Sequence, residues 1–89
     1  MSRQRSIEKI LKSAYITIGE LVRITNSRYS TLKFYTEEEI LPFEQEDEGL
    51  TRRFKREDSI KRIEEIKELK KQGYRVEEIK ELLIGVNKK

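Results

Sequence analysis

The apolar residues of this chain recur at helical spacing in five short segments, which polar and turn-forming residues separate. In the first segment, residues 6–14, isoleucine and leucine lie three and four positions apart, so a short amphipathic helix is predicted. The next three residues, 15–17, are aromatic or β-branched and indicate a short strand. The pattern therefore predicts that a helix and then a strand open the chain.

Two further helices are predicted close together. Thr17 and Glu20 have capping-box spacing, in which the hydroxyl accepts from the first helical turn and the carboxylate reaches back to the cap. Apolar residues behind this pair predict a helix of roughly two turns over residues 18–26. A second helix is expected over residues 28–38. Two short helices joined by a tight turn are typical of the helix-turn-helix motif.

A turn region follows the second helix. Pro42 is expected to end that helix, because proline disfavours helical geometry at the residue before it. Residues 44–51 are polar and contain Gly49, and a basic stretch follows directly over residues 52–55. This composition predicts a loop or a β-hairpin with basic residues on its returning arm.

Two more helices are predicted over residues 56–72 and 76–84, with Gly73 as a left-handed stop between them. The isoleucines of the longer helix could form a coiled-coil seam. A seam needs three to four heptads and this helix has about two, so a core position is the preferred interpretation. The side chains expected to face the core are Ile18, Leu21, Val22, Leu32, Tyr35, Ile60, Ile63, Ile66, Leu69, Ile79, Leu82 and Leu83.

The composition narrows the classes of function. A chain of 89 residues forms one domain with a modest core. It contains no cysteine and no histidine, which excludes thiolate metal sites and the commonest general base. We therefore expect no enzyme, no metal and no cofactor. With no signal-peptide pattern and no long apolar run, we also expect a cytoplasmic location and no membrane contact.

The charge is distributed unevenly, although the net charge is only +3. Residues 37–50 carry seven acidic residues and no basic ones, whereas residues 51–62 carry six basic residues and two acidic ones. A compact fold could place these opposite charges on opposite faces, which would suit a polyanionic partner. A well-solvated surface with uneven charge explains the same pattern.

Several motifs together resemble one family. The order of these motifs and their approximate spacing are those of bacterial MerR-family transcription regulators. The motifs are residues 16–21, 31–35 and 40–42, then Gly49 with residues 52–54, and finally residues 70–74 with 76–83. The similarity is to the N-terminal DNA-binding domain and covers about residues 15–84. No single motif is specific, but the ordered set is.

The resemblance implies a mainly α fold, a winged helix-turn-helix with four core helices and a small β-hairpin wing, here with an extra short N-terminal helix. We expect this helix in residues 1–14, the DNA-binding domain in residues 15–84 and a tail in residues 85–89. The implied function is sequence-specific binding of double-stranded DNA in transcription regulation. The second helix of the motif would enter the major groove, and the wing would contact the flanking backbone.

Candidate contact residues follow from the resemblance, position by position. We expect Lys33 and both wing arginines to bind phosphates and Ser30 to contact a base edge or a phosphate, on one continuous cationic surface. Phe34 stands where the family usually has a tyrosine, which removes one expected hydroxyl. The candidates from the motif helix and the wing are Ser30, Thr31, Lys33, Phe34, Tyr35, Arg52 and Arg53.

Three helix starts depart from the family, which usually has a capping serine there. This chain has Arg28, Lys55 and Arg75 instead. A lost cap costs about 1 kcal/mol, and a cation at the positive end of a helix is unfavourable. We hypothesise that Arg28 and Lys55 offset this cost by approaching the DNA backbone. Capping by Ser27 is the alternative at the first position, and Arg75 has no functional interpretation.

Partners and rival functions complete the expectations. Such regulators usually continue into a dimerising helix and an effector region, whereas this sequence stops at Lys89. We expect either an isolated domain or a protein that works without a sensor. A homodimer or a side-by-side assembly on DNA is expected, with no small-molecule ligand. The N-terminal helix packs on the domain or binds a second copy.

The acidic residues 44–48 would point away from DNA or limit non-specific affinity. The rival functions are an architectural factor, of excisionase or DNA-packaging type, and a helical protein-interaction module.

Overall fold

The computed structural model describes residues 5–85 of the chain. Along this part the elements are α1 (Ile7–Lys12), β1 (Tyr15–Ile16), α2 (Ile18–Thr25), α3 (Tyr29–Glu37), β2 (Phe54–Lys55), α4 (Arg56–Lys71) and α5 (Val76–Ile84). The predicted helices are all present, with small differences at their ends. The mainly α, winged helix-turn-helix fold with an extra N-terminal helix is confirmed. Residues 1–4 and most of the expected tail, residues 86–89, lie outside the described residues.

The start of α2 has the predicted capping box. The Thr17 hydroxyl accepts from the Glu20 N–H at 3.2 Å, and the Glu20 carboxylate accepts from the Thr17 N–H at 3.0 Å. At the other end Asn26 adopts a left-handed conformation, with φ 54°. Both ends of this helix are therefore fixed by local sequence.

The end of α3 is set by a residue that the sequence did not single out. Glu39 has φ 65°, and the N–H groups of Ile40 and Leu41 both donate to the carbonyl of Tyr35, at 2.9 and 3.2 Å. This left-handed turn ends the helix before the chain reaches Pro42. Proline therefore lies beyond the stop and is not its cause.

The sheet joins segments that are far apart in sequence. β1 and β2 pair antiparallel, with Tyr15 opposite Lys55 and Ile16 opposite Phe54. The wing itself is closed by one bridge, in which Glu44 and Arg53 exchange two N–H···O bonds of 2.8 Å. The returning arm of the wing is thus held on both sides, and the loop beyond the bridge is exposed.

One core runs through the whole described chain and includes α1, whose Ile10 is fully buried. The short N-terminal helix therefore packs on the domain. In α4, Ile63 and Ile66 are buried, as a core interpretation of the isoleucines requires. The buried apolar residues are Ile10, Ile16, Leu21, Leu32, Tyr35, Ile40, Leu41, Phe54, Ile63, Ile66 and Ile79.

The prediction that Leu82 faces the core is wrong, because its side chain is 56% exposed. α5 meets the core along one narrow stripe, formed by Val76, Ile79 and Leu83. These residues are three and four positions apart, and Leu82 lies about 100° around the helix from Leu83. A helix with one packed side cannot bury both leucines.

Candidate nucleic-acid interface

The exposed side of α3 is fixed by what the helix buries. Leu32, Tyr35 and Thr36 face the core, and the Thr36 hydroxyl donates to the Leu32 carbonyl at 2.9 Å. Tyr35 is 5% exposed, and its hydroxyl as a DNA contact stays a prediction. On the other side lie two partly exposed aromatic rings and a set of polar and charged side chains. The exposed residues of α3 are Tyr29, Ser30, Lys33, Phe34 and Glu37, while Thr31 is half-buried.

Ser30, Lys33 and Glu37 form a stripe along this exposed side, since they are three and then four positions apart. We call these three residues the α3 stripe. It presents a hydroxyl, an ammonium group and a carboxylate in that order from the start of the helix to its end. Two of the sequence-predicted contacts, Ser30 and Lys33, are therefore brought together by the helix itself.

Arg52 of the wing lies beside this stripe. Its Nη1 is 3.6 Å from Oε2 of Glu37, and its guanidinium carbon is 4.5 Å from the centroid of the Phe43 ring. The Phe43 ring in turn packs against Phe54, with 5.9 Å between centroids. The wing arginine is thus oriented by an aromatic face and by the carboxylate one turn beyond Lys33.

Arg53 does not join the same group. Side chains alternate between the two faces of a strand, so Arg53 and Lys55 point away from the face that carries buried Phe54. Arg53 and Lys55 instead line a shallow depression with Glu44 and Asp58. The structure therefore places Arg52, and not Arg53, beside the α3 stripe, and a DNA contact by Arg53 stays a prediction. The strand period separates it from Arg52.

Two helix starts lack a side-chain cap, as the sequence suggested. Arg28 is the N-cap of α3 and Lys55 is the N-cap of α4, and neither side chain caps its helix. The alternative cap, Ser27, is wrong, because its hydroxyl bonds instead to the Thr25 hydroxyl at 2.8 Å. The side chains of both cations are exposed. At α4 the Arg56 N–H donates to the Ala14 carbonyl at 2.9 Å, whereas the start of α3 has no side-chain cap that would compete with a bound anion.

The start of α5 differs from these two. Its N-cap is also a cation, Arg75, but the Arg75 N–H donates to Oε1 of Glu78 at 2.8 Å. Half of a capping box is therefore present. This contact binds the N–H of the N-cap itself, and the N–H groups of the first turn of α5 still have no side-chain cap.

A contact that the sequence did not reveal ties the N-terminal segment to α2. Arg5 donates two hydrogen bonds to the Glu20 carboxylate, at 2.7 and 2.8 Å, and a third to the Ser13 hydroxyl at 2.9 Å. These bonds from Arg5 hold the pKa of Glu20 below its ordinary value, against the opposing effect of burial. Arg23 also donates to the Arg5 carbonyl. No spacing rule connects residues so far apart in sequence.

Comparison with known proteins agrees with this geometry. The family described as MerR HTH family regulatory protein matches residues 16–85, which is most of the 89-residue chain. The chain belongs to this family. No individual curated protein matches the chain, and no solved structure does either.

MerR-family regulators are DNA-binding proteins of transcription control, and the matched residues include α2, α3, the wing, α4 and α5. α1 and Arg5 precede the match. Within residues 5–85, no helix combines the length and the apolar character that a membrane crossing requires. The same residues contain no group of three or more acidic side chains placed to hold a metal ion.

Proposed function

We propose that this MerR-family protein binds double-stranded DNA in a sequence-specific manner and thereby regulates transcription. α3 enters the major groove, and Arg52 contacts a phosphate beside it. The observation that carries the proposal is the position of Arg52 next to the α3 stripe, which joins the helix and the wing into one polar surface.

The dimensions and chemistry of α3 suit this role. The major groove of B-DNA is about 12 Å wide, admits one α-helix and displays a distinct pattern of donors and acceptors for each base pair. Ser30 and Lys33 offer short and long hydrogen-bonding side chains on the exposed side. Arg28 stands at the start of the same helix, where the partial positive charge of the helix favours a phosphate.

The proposal is tested by equilibrium binding to duplex DNA over a range of salt concentrations. A random duplex library identifies the preferred sequence, and affinity is then measured for it and for a scrambled duplex. We expect Lys33→Gln and Arg52→Gln each to reduce the salt dependence by about one phosphate contact. Lys9→Gln is the matched control, because it removes one exposed charge from α1, outside the family match.

Two results would contradict the proposal. One is the absence of duplex binding at low salt. The other is an affinity that added salt does not weaken, which would favour a protein-interaction module. In either case the exposed side of α3 would need a different partner. Binding that is equally tight for selected and scrambled duplexes would retain DNA as the ligand and remove the sequence specificity.

A further inference from the structure

One residue on the exposed side of α3 is unsuited to simple phosphate binding. Glu37 is the only acidic residue of this helix, its side chain is 54% exposed, and it lies on the α3 stripe with Lys33. A carboxylate on a surface that meets DNA is repelled by the phosphates. It is also the last residue of the helix, where the partial negative charge of the helix disfavours an anion.

Stability does not account for Glu37. Among the residues that the structure describes, it pairs with Arg52, whose side chain is 38% exposed, and the separation of 3.6 Å is long for a hydrogen bond. Solvent-exposed pairs of this kind contribute little to folding. Arg52 is already oriented by the Phe43 ring. The carboxylate is therefore unfavourable for general DNA affinity and adds little to the fold.

We propose that Glu37 is a specificity-determining residue of the interface. Without a cognate site, its carboxylate neutralises Arg52 and repels phosphates, which lowers affinity for any duplex. At the cognate site, Arg52 moves to a phosphate and the carboxylate accepts a hydrogen bond from the N4 amino group of a cytosine. Glutamate is one of the side chains that suit this donor in the major groove.

The position of Glu37 agrees with direct contact to a base. It lies one helical turn beyond Lys33 and on the same side of α3, so a groove that admits the stripe also receives Glu37. The neighbouring Glu38 has a different environment, because its Oε1 is 3.8 Å from the Lys80 ammonium of α5. Two adjacent carboxylates therefore differ in whether they face the proposed groove.

Because Glu37 and Glu38 differ in this way, variants of the two residues form a matched pair for the experiment. The inference rests on the proposed function, so the wild-type protein is first shown to select a duplex from a random library. Glu37→Gln and Glu38→Gln each remove one charge at the same end of the same helix. The selection is repeated with both variants, and affinity for selected and scrambled duplexes is measured against salt.

We expect Glu37→Gln to bind the scrambled duplex roughly 3- to 10-fold more tightly, with a salt dependence steeper by about one contact. We also expect discrimination at one C·G base pair to fall roughly 5- to 100-fold. The preference for that base pair should then disappear from the selected sequence. Glu38→Gln should keep that preference.

Three results separate the possibilities. Unchanged selection by Glu37→Gln overturns the inference and leaves Glu37 as a counter-ion of Arg52. Equally weakened binding to all duplexes also overturns it, because the residue would then only position Arg52. A wild-type protein that binds no duplex contradicts the proposed function itself, and is distinguished from the other two by the first measurement.

Discussion

The start of α2 differs from the starts of α3 and α4 in how its backbone N–H groups are capped. At α2, the Thr17 hydroxyl and the Glu20 carboxylate satisfy the helix, and Arg5 closes the group. At α3 and α4 the N-caps are Arg28 and Lys55, whose side chains supply no acceptor. Side chains of the protein cap the first helix start, which we call saturated, whereas the other two have no side-chain cap and are called open.

In the proposed function, this difference divides stability and binding between separate parts of the molecule. The saturated start lies where the N-terminal segment packs on the domain, and its groups are occupied by one another. The open starts carry exposed cations and belong to the motif helix and to the helix after the wing. A helix start without a side-chain cap and beside a cation is destabilising in the free protein, and a bound anion would make it favourable.

The largest effect on stability is expected at the saturated start. Glu20→Gln removes the charge that Arg5 and the Thr17 N–H bind, and should lower the free energy of unfolding by about 1 to 2 kcal/mol. Urea denaturation near neutral pH measures this change. Glu8→Gln, an exposed substitution on α1, is the control. Equal stability of both variants would contradict the contrast between the helix starts.

The same pair predicts a pH dependence. The pKa of folded Glu20 is below the ordinary value of 4.5, so the unfolded chain takes up a proton first as the pH falls. The stabilisation is therefore fully present above that value and is lost as the pH falls through the folded pKa. The acid sensitivity of unfolding should be smaller in Glu20→Gln than in the wild type. If the free energy of unfolding had the same pH dependence in Glu20→Gln and in the wild type, the predicted contribution of Glu20 would be contradicted.

The open starts should respond in the opposite direction. Arg28→Ser and Lys55→Ser each introduce a cap and should raise the free energy of unfolding by about 0.5 to 1 kcal/mol, while duplex affinity falls several-fold. Arg75→Ser is the matched control, since it also introduces a cap and removes one charge, but at a helix start outside the proposed interface, so stability should rise while duplex affinity is unchanged. Retained DNA affinity in both Arg28→Ser and Lys55→Ser would remove the proposed phosphate contacts.

The last prediction concerns stability alone and separates backbone strain from the loss of a charge. Glu39 has φ 65°, which is strained for a residue with a Cβ atom, and Glu39→Gly should stabilise the fold by about 1 kcal/mol. Glu39→Ala removes the same charge without relieving the backbone and should bring no such gain. If both variants were equally stable, backbone strain at this position would be negligible.

The helices and their ends were predictable because local rules govern them. Apolar spacing located all five helices, and the Thr17–Glu20 box and the Gly73 stop follow from residue type alone. Glu39 was missed, since left-handed geometry favours glycine and asparagine, so a glutamate gives no signal for it.

The candidate interface was predictable only in part. Helical spacing correctly placed Ser30 and Lys33 together, but adjacent wing arginines were treated as one surface although a strand alternates its side chains. The role of Glu37 depends on its neighbour Arg52, which is distant in sequence. The same limitation applies to Arg5 and Glu20, because tertiary packing alone brings them together.

The burial of Ile10 has a practical consequence for anyone who shortens this protein. The family match begins at residue 16, yet a fully buried isoleucine and the bond from the Arg56 N–H to the Ala14 carbonyl, 2.9 Å long, lie before that point. A fragment trimmed to the matched residues would open a hole in its interior and leave the first turn of α4 short of an acceptor. The minimal folding unit is therefore longer than the family boundary.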